Sequence, residues 1–310
     1  MVWRISLAGL LALTLAACLQ GANAPDRQAH GLVSMPPAAT VALLLGDGVA
    51  PYLEQIDKGA RAAAQANHVE VINVDRRAEQ ASEVERLLGA GVGALVFVSA
   101  SGGDQQALRE RVRLTGVPMI AVGAVPAQPD LTPYVAIDDE RSAYLAVSAL
   151  LAGASDALEI AVLESSSPNS QALARQSGID RALAEHGRGR VIARLAASGK
   201  IDQAYEVTRE LFAVHPQIDL VIGASDAIAL GALKYLRDSR RPRVRVAGFG
   251  ALPEARAALA GGGFALTVDP RIEKQVYLGV EYAARSLRGD EIPPVTLLEA
   301  DLLVGPGSQP

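Results

Sequence analysis

Several things are scarce in this 310-residue chain, and each scarcity excludes something. There is one cysteine, Cys18, so no intramolecular disulfide can form and the fold must rest on its core. Aromatic residues make up only 4%. The formal net charge is −5, and no long basic run offers a footprint for nucleic acid. The four histidines (30, 68, 186 and 215) fall in an N-terminal tether or near expected helix ends, and no His, Cys or carboxylate cluster has metal-ligand spacing. No G-x-S-x-G elbow is present. "GDGVAP" starts like a dinucleotide fingerprint, but Pro51 stands where its third glycine belongs. "ASGKI" echoes a phosphate loop whose first glycine is replaced by Arg194 and whose Ser/Thr is replaced by Ile201. Catalysis, a resident metal and a cofactor are therefore not expected.

The apolar runs are short as well. The longest, Ile5 to Ala17, follows Arg4, ends at "LAAC" and cannot span a bilayer. It reads as an export signal over 1–18 resembling a bacterial lipobox, with Cys18 the acylated first residue of the mature protein. Cleavage after "ANA" (Ala22 to Ala24) is the rival, opposed by Pro25 at the position after the cut. Residues 19–39, with "GANAP" and "MPPAA", read as a tether, so membrane attachment is expected through the anchor alone.

What remains is globular, with 50% apolar and 20% charged residues. Its length exceeds what one core of ordinary size holds, which predicts two lobes. From Thr40 onward, Val/Ile/Leu-rich runs such as "TVALLLG", "VEVINVD" and "GALVFVS" alternate with amphipathic helical patterns. The alternation restarts at "YVAID" and continues through "LEIAVLE", "DLVIGAS" and "VRVAGFG". Continuous apolar strands separated by helices predict an α/β fold with parallel sheets covered on both faces. No low-complexity linker divides the halves.

In open parallel sheets, ligands bind beyond the carboxyl ends of the strands. Those ends carry small and acidic residues, among them Asp47, Ser99, Asp138-Asp139, Ser198-Gly199-Lys200, Ser225-Asp226 and Asp269. Asp138, Ser167, Ser225 or Asp226, and Asp269 also fit as helix N-caps, each contributing about 1 kcal/mol. Their recurrence in both halves points to a shared cleft.

Here a resemblance becomes specific. "DLVIGASDAIALGALKYL", "ARQSGIDRAL", "VRVAGFGALPEARAAL" and "LTVDPRIEKQVYLGVEYAARSLRGD" are similar to segments of type I periplasmic binding proteins of the ribose- and galactose-binding group. The likeness runs from about Thr40 to Val304. It implies two doubly wound lobes joined by three crossings, one of 40–138 plus 270–293 and one of 139–269 plus 294–310. It also implies a monomer that closes over a carbohydrate or a sugar-like or anionic derivative and delivers it to an ABC import permease. A sensory module reporting to a membrane receptor or kinase is the alternative. Regulators sharing this core carry a helix-turn-helix where this chain has an export signal.

Position by position, the resemblance is incomplete. Arg175 matches the family's sugar-binding arginine and Tyr52 a stacking aromatic. Ser225 replaces the Asn of the family's "ND" pair, leaving Asp226, which there is chiefly structural. Gly123-Ala124, Gly199, Gly250 and Pro270 replace an Asp-Arg pair, an aromatic, an Asp and a Gln. The pocket should be roomier and poorer in planar polar groups than a pentose site, with Arg175 and Lys200 available to an anion. The expected ligand contacts are Asp47, Tyr52, Ser99, Arg175, Lys200, Ser225, Asp226 and Asp269.

Overall fold

The computed structural model describes residues 39–46, 48–74, 80–99, 106–125, 132–152, 154, 156–166 and 169–306. The export signal, Cys18, nearly all of the tether and Asp47 lie outside them.

Two six-stranded sheets carry the fold. The first comprises β1 (Thr40–Leu45), β2 (Glu70–Val74), β3 (Ala94–Val98), β4 (Met119–Gly123), β5 (Tyr134–Ile137) and β11 (Val295–Leu298), in spatial order 11-5-4-3-1-2. All of its pairings are parallel. Helices α1 (Leu53–Asn67) and α9 (Ile272–Leu287) cover one face, and α2 (Gln80–Gly89) and α3 (Gln106–Arg113) the other. The sequence dictates this two-sided burial. On β1, Val41 and Leu43 pack with Ile56 and Val276, whereas Ala42 and Leu44 pack with Val84, Leu87 and Val112. A strand with water on one side could not carry "TVALLL", because successive residues point to opposite faces. Fully burying a side chain such as Leu43 contributes about 1.5–3 kcal/mol.

The second sheet holds β6 (Leu158–Ser165), β7 (Gly189–Ala197), β8 (Leu220–Gly223), β9 (Arg245–Phe249), β10 (Leu266–Asp269) and β12 (Asp301–Val304), in order 12-10-9-8-6-7. It is parallel except for β12, which runs against β10. Helices α4 (Asp139–Ala152) and α5 (Ser170–His186) cover one face. The other is covered by α6 (Ile201–Val214), α7 (Asp226–Asp238) and α8 (Pro253–Ala260).

The chain passes between the sheets from β5 to α4, from β10 to α9, and from β11 to β12. The last passage differs from the expected boundary. The resemblance puts residues 294–298 in the second lobe, yet β11 extends the first sheet alongside β5 and the chain crosses at Glu299–Ala300. Pairing there satisfies the edge that β5 would otherwise expose. The caps differ in part too. Asp138 accepts from Arg141 N–H at 2.9 Å and Ser225 from Ile228 N–H; Asn169 caps α5, and Ser167 lies outside the described residues. Asp269 accepts from Arg271 N–H ahead of α9 and does not cap that helix. Among the described residues, no helix is long and apolar enough to cross a membrane.

Candidate functional site

Where the carboxyl ends of the two sheets approach each other lies a cleft of about 550 Å³. The first lobe contributes Tyr52, Gly123, Ile137, Ile272 and Gln275. The second contributes Gln171 and Arg175 from α5, Ser198-Gly199, Ser225-Asp226-Ala227 and Phe249-Gly250. Apolar side chains, including Leu252 and Val268, fill much of the wall between these polar points.

The charge in this cleft is balanced internally. Arg175 Nη1 donates to Asp139 Oδ1 at 2.6 Å, and both side chains are largely withdrawn from solvent. Burial pushes the Asp139 carboxyl above its ordinary value, while Arg175 and a hydrogen bond from Gln171 oppose that rise. The Arg175 guanidinium also lies 5.5 Å from the centroid of the Phe249 ring, within cation–π range. Its Nε is buried without a partner. An arginine already paired with a buried carboxylate is a poor attractor for a second anion, so the expected anionic contact loses its basis.

Two hydrogen bonds join the lobes across the cleft. Tyr52 Oη donates to the Gly250 carbonyl at 3.0 Å, and Gln171 Nε2 donates to the Gly123 carbonyl at 3.1 Å. Both acceptors are strand-end glycines for a steric reason. Gly250 has φ +135°, and a Cβ there would lie 2.8 Å from Tyr52 Oη. Gly123 has φ +95°, and its Cβ would lie 2.4 Å from the Ser99 carbonyl. Other residues rarely adopt either backbone. Burial and the nearby carboxylates of Asp226 and Asp269 raise the Tyr52 phenol above its ordinary value, which keeps it a neutral donor.

Asp226 shapes the wall from behind. It is fully buried, accepting from Thr267 Oγ1 at 2.7 Å and from Leu252 N–H at 2.8 Å. Burial pushes its carboxyl up to about 6, against these hydrogen bonds and the more distant Arg256. It thereby ties α7 to the loop after β9 that presents Gly250.

Of the residues expected from sequence, the cleft brings together Tyr52, Arg175, Ser225 and Asp226. Three others are placed elsewhere. Ser99 is buried beneath Gly123. Lys200 is exposed ahead of α6 and outside the cleft lining. Asp269 is held by Arg256 and the Arg271 N–H, and faces an outer cavity of about 450 Å³. Tyr52, Gly250 and Ile272 belong to the walls of both cavities. Asp47 is outside the described residues. Gln171, one turn before Arg175 on the same helical face, and Gln275, a polar residue within the apolar stripe of α9, also line the cleft, and neither stands at a strand end. Among the described residues, no cluster could hold a metal ion.

Two doubly wound lobes meeting on an apolar-walled cleft form the architecture of a small-molecule binding protein. The chain belongs to the periplasmic binding protein family, whose domain model matches residues 41–291, and its place of action is extracytoplasmic. It is 25% identical over 293 residues to a xylitol-binding protein of Mycolicibacterium smegmatis, covering 93% of this chain and 81% of that protein. The ribose import binding protein of Salmonella typhimurium is 23% identical over 256 residues, covering 82% and 86%. Among solved structures, a solute-binding protein from Actinobacillus succinogenes with bound D-allose superposes with a TM-score of 0.77 at 23% identity, covering 87% of this chain and 98% of that one. One from Bacillus halodurans with bound myo-inositol gives 0.76 at 18%, covering 87% and 96%.

Proposed function

We propose that this protein binds a neutral sugar or polyol between its lobes and delivers it to an ABC import permease, acting as a monomer without chemistry of its own. The observation that carries the reading is the cleft bridged by Tyr52 to Gly250 and by Gln171 to Gly123, because a molecule held there contacts both lobes only when they are together. Ligand binding and closure are then one equilibrium. Moving it from 1:99 to 99:1 requires about 10⁴-fold tighter binding to the closed form. The relatives named for xylitol and ribose support the ligand class. The Arg175–Asp139 pair supports its neutrality.

Purified protein should be screened by thermal shift against xylitol, D-ribose, D-allose, myo-inositol and D-ribose 5-phosphate, alongside native mass spectrometry for ligand retained from the cell. Saturable stabilisation by a neutral member and none by the phosphate is the expected result. Stabilisation by the phosphate alone would refute the neutral reading. Attachment through an acylated Cys18 is part of the proposal, supported by the "LAAC" ending of the apolar run. A C18S variant should leave the membrane fraction and appear in the soluble extracytoplasmic fraction.

A sensory role draws on one observation, the three glycines at 123, 199 and 250 that strip the cleft of side chains used for gripping sugar. Co-purification with a permease or with a receptor kinase separates the two.

A further inference from the structure

Helix α9 turns Ile272, Val276, Gly279, Val280 and Ala283 inward, and a continuous apolar stripe is what its packing requires. Gln275 breaks that stripe. It is 1% exposed, yet it lines the cleft. A buried primary amide is unfavourable unless its donor and acceptor are both met. Here only the donor side is met, through Nε2 to the Pro270 carbonyl at 2.6 Å, while Oε1 is buried without a partner. Across the cleft, Arg175 Nε is buried and unpartnered in the same way. One lobe thus holds an unused acceptor and the other an unused donor, whose guanidinium charge is balanced by Asp139. A hydroxyl both gives and takes a hydrogen bond, so the hydroxyls of a neutral ligand suit groups of both kinds. An oxyanion cannot donate to Oε1.

We infer that Gln275 is a specificity-determining residue, its Oε1 accepting a hydrogen bond from a ligand hydroxyl. The inference rests on the proposed sugar or polyol class. Within that class, it accounts for a polar side chain that the packing of α9 does not need.

The test compares two variants, of which only Q275E, as the neutral acid that burial favours, can still donate to the Pro270 carbonyl. Q275E keeps an acceptor oxygen and Q275M does not. Calorimetric titration with D-ribose, D-allose and xylitol should show Q275M binding about tenfold or more weakly than wild type, with Q275E close to wild type. One monodeoxy derivative of the probe that binds should lose about tenfold on wild type and nothing further on Q275M. Equal affinities for the two variants, or an unchanged deoxy penalty on Q275M, would overturn the assignment while leaving the proposed function standing. If none of the probes binds wild type, the sugar or polyol class fails instead. Native mass spectrometry then reads Gln275 without assuming that class. Loss of a retained ligand mass in Q275M but not in Q275E supports the assignment, and no difference overturns it.

Discussion

Substituting Tyr52 by phenylalanine isolates the bond between the lobes. Phe keeps the ring against the first core, where Tyr52 packs beside Ile56 and Ile272, and removes only the hydroxyl. In the closed arrangement the Gly250 carbonyl loses its side-chain donor. When the lobes part, water reaches that carbonyl and the variant loses nothing. The difference falls on closure alone. A buried acceptor left unpaired costs about 1–3 kcal/mol, which lowers the closed-to-open ratio roughly 5- to 150-fold. Because ligand binding is linked to closure, the apparent Kd weakens by up to the same factor.

Calorimetry on Y52F with whichever of xylitol, D-ribose and D-allose binds wild type measures the loss. Small-angle scattering at matched ligand concentrations reports whether the lobes have parted. The phenol is raised above its ordinary value of 10.0, so the difference between the two proteins should be flat from about pH 6 to 9. An unchanged Kd with unchanged scattering would refute the reasoning, because the bond would then have no part in closure.

Two further predictions concern buried carboxylates. D139N leaves the Arg175 charge without its partner, which should destabilise the protein by about 3–5 kcal/mol in urea unfolding. It should also confer stabilisation by D-ribose 5-phosphate; a variant still indifferent to that phosphate would show that the pair does not set charge preference. Asp226 is raised from 3.8 to about 6, so the folded state binds its proton more tightly than the unfolded state. Its contribution to stability therefore declines as pH rises from about 4 to about 6 and stays low above that, by about 3 kcal/mol in all. D226N should lack this decline; unfolding free energies of wild type and variant that run parallel over this window would contradict the assignment.

Much of the fold was legible because burial on both faces forces continuous apolar runs, and helices between them show one apolar stripe. The third crossing was not. "VTLL" of β11 is short, with alternate residues partly exposed, and nothing in four residues states which sheet edge they join. The site divides the same way. Tyr52, Arg175, Ser225 and Asp226 were legible because strand ends and the helix starts after them converge on one gap. The neutralisation of Arg175 was hidden because Asp139 is 36 residues away and meets it only once α4 and α5 pack together. Asp269 and Lys200 show the opposite limit. Each stands at a strand end, but Arg256 turns the first toward the outer cavity and the second points into water.

The glycines at these strand ends change what holds the lobes together. Where a side chain would project into the gap, positions 123 and 250 present carbonyls, and each carbonyl takes a hydrogen bond from the opposite lobe. Part of the closing free energy then comes from protein–protein bonds that no ligand supplies. Two such bonds of about 1 kcal/mol each shift the population toward closure about 30-fold. A ligand with few polar contacts can still close this protein, because less differential binding is asked of it. The same shift makes release slower, since the bonds must break before the ligand leaves.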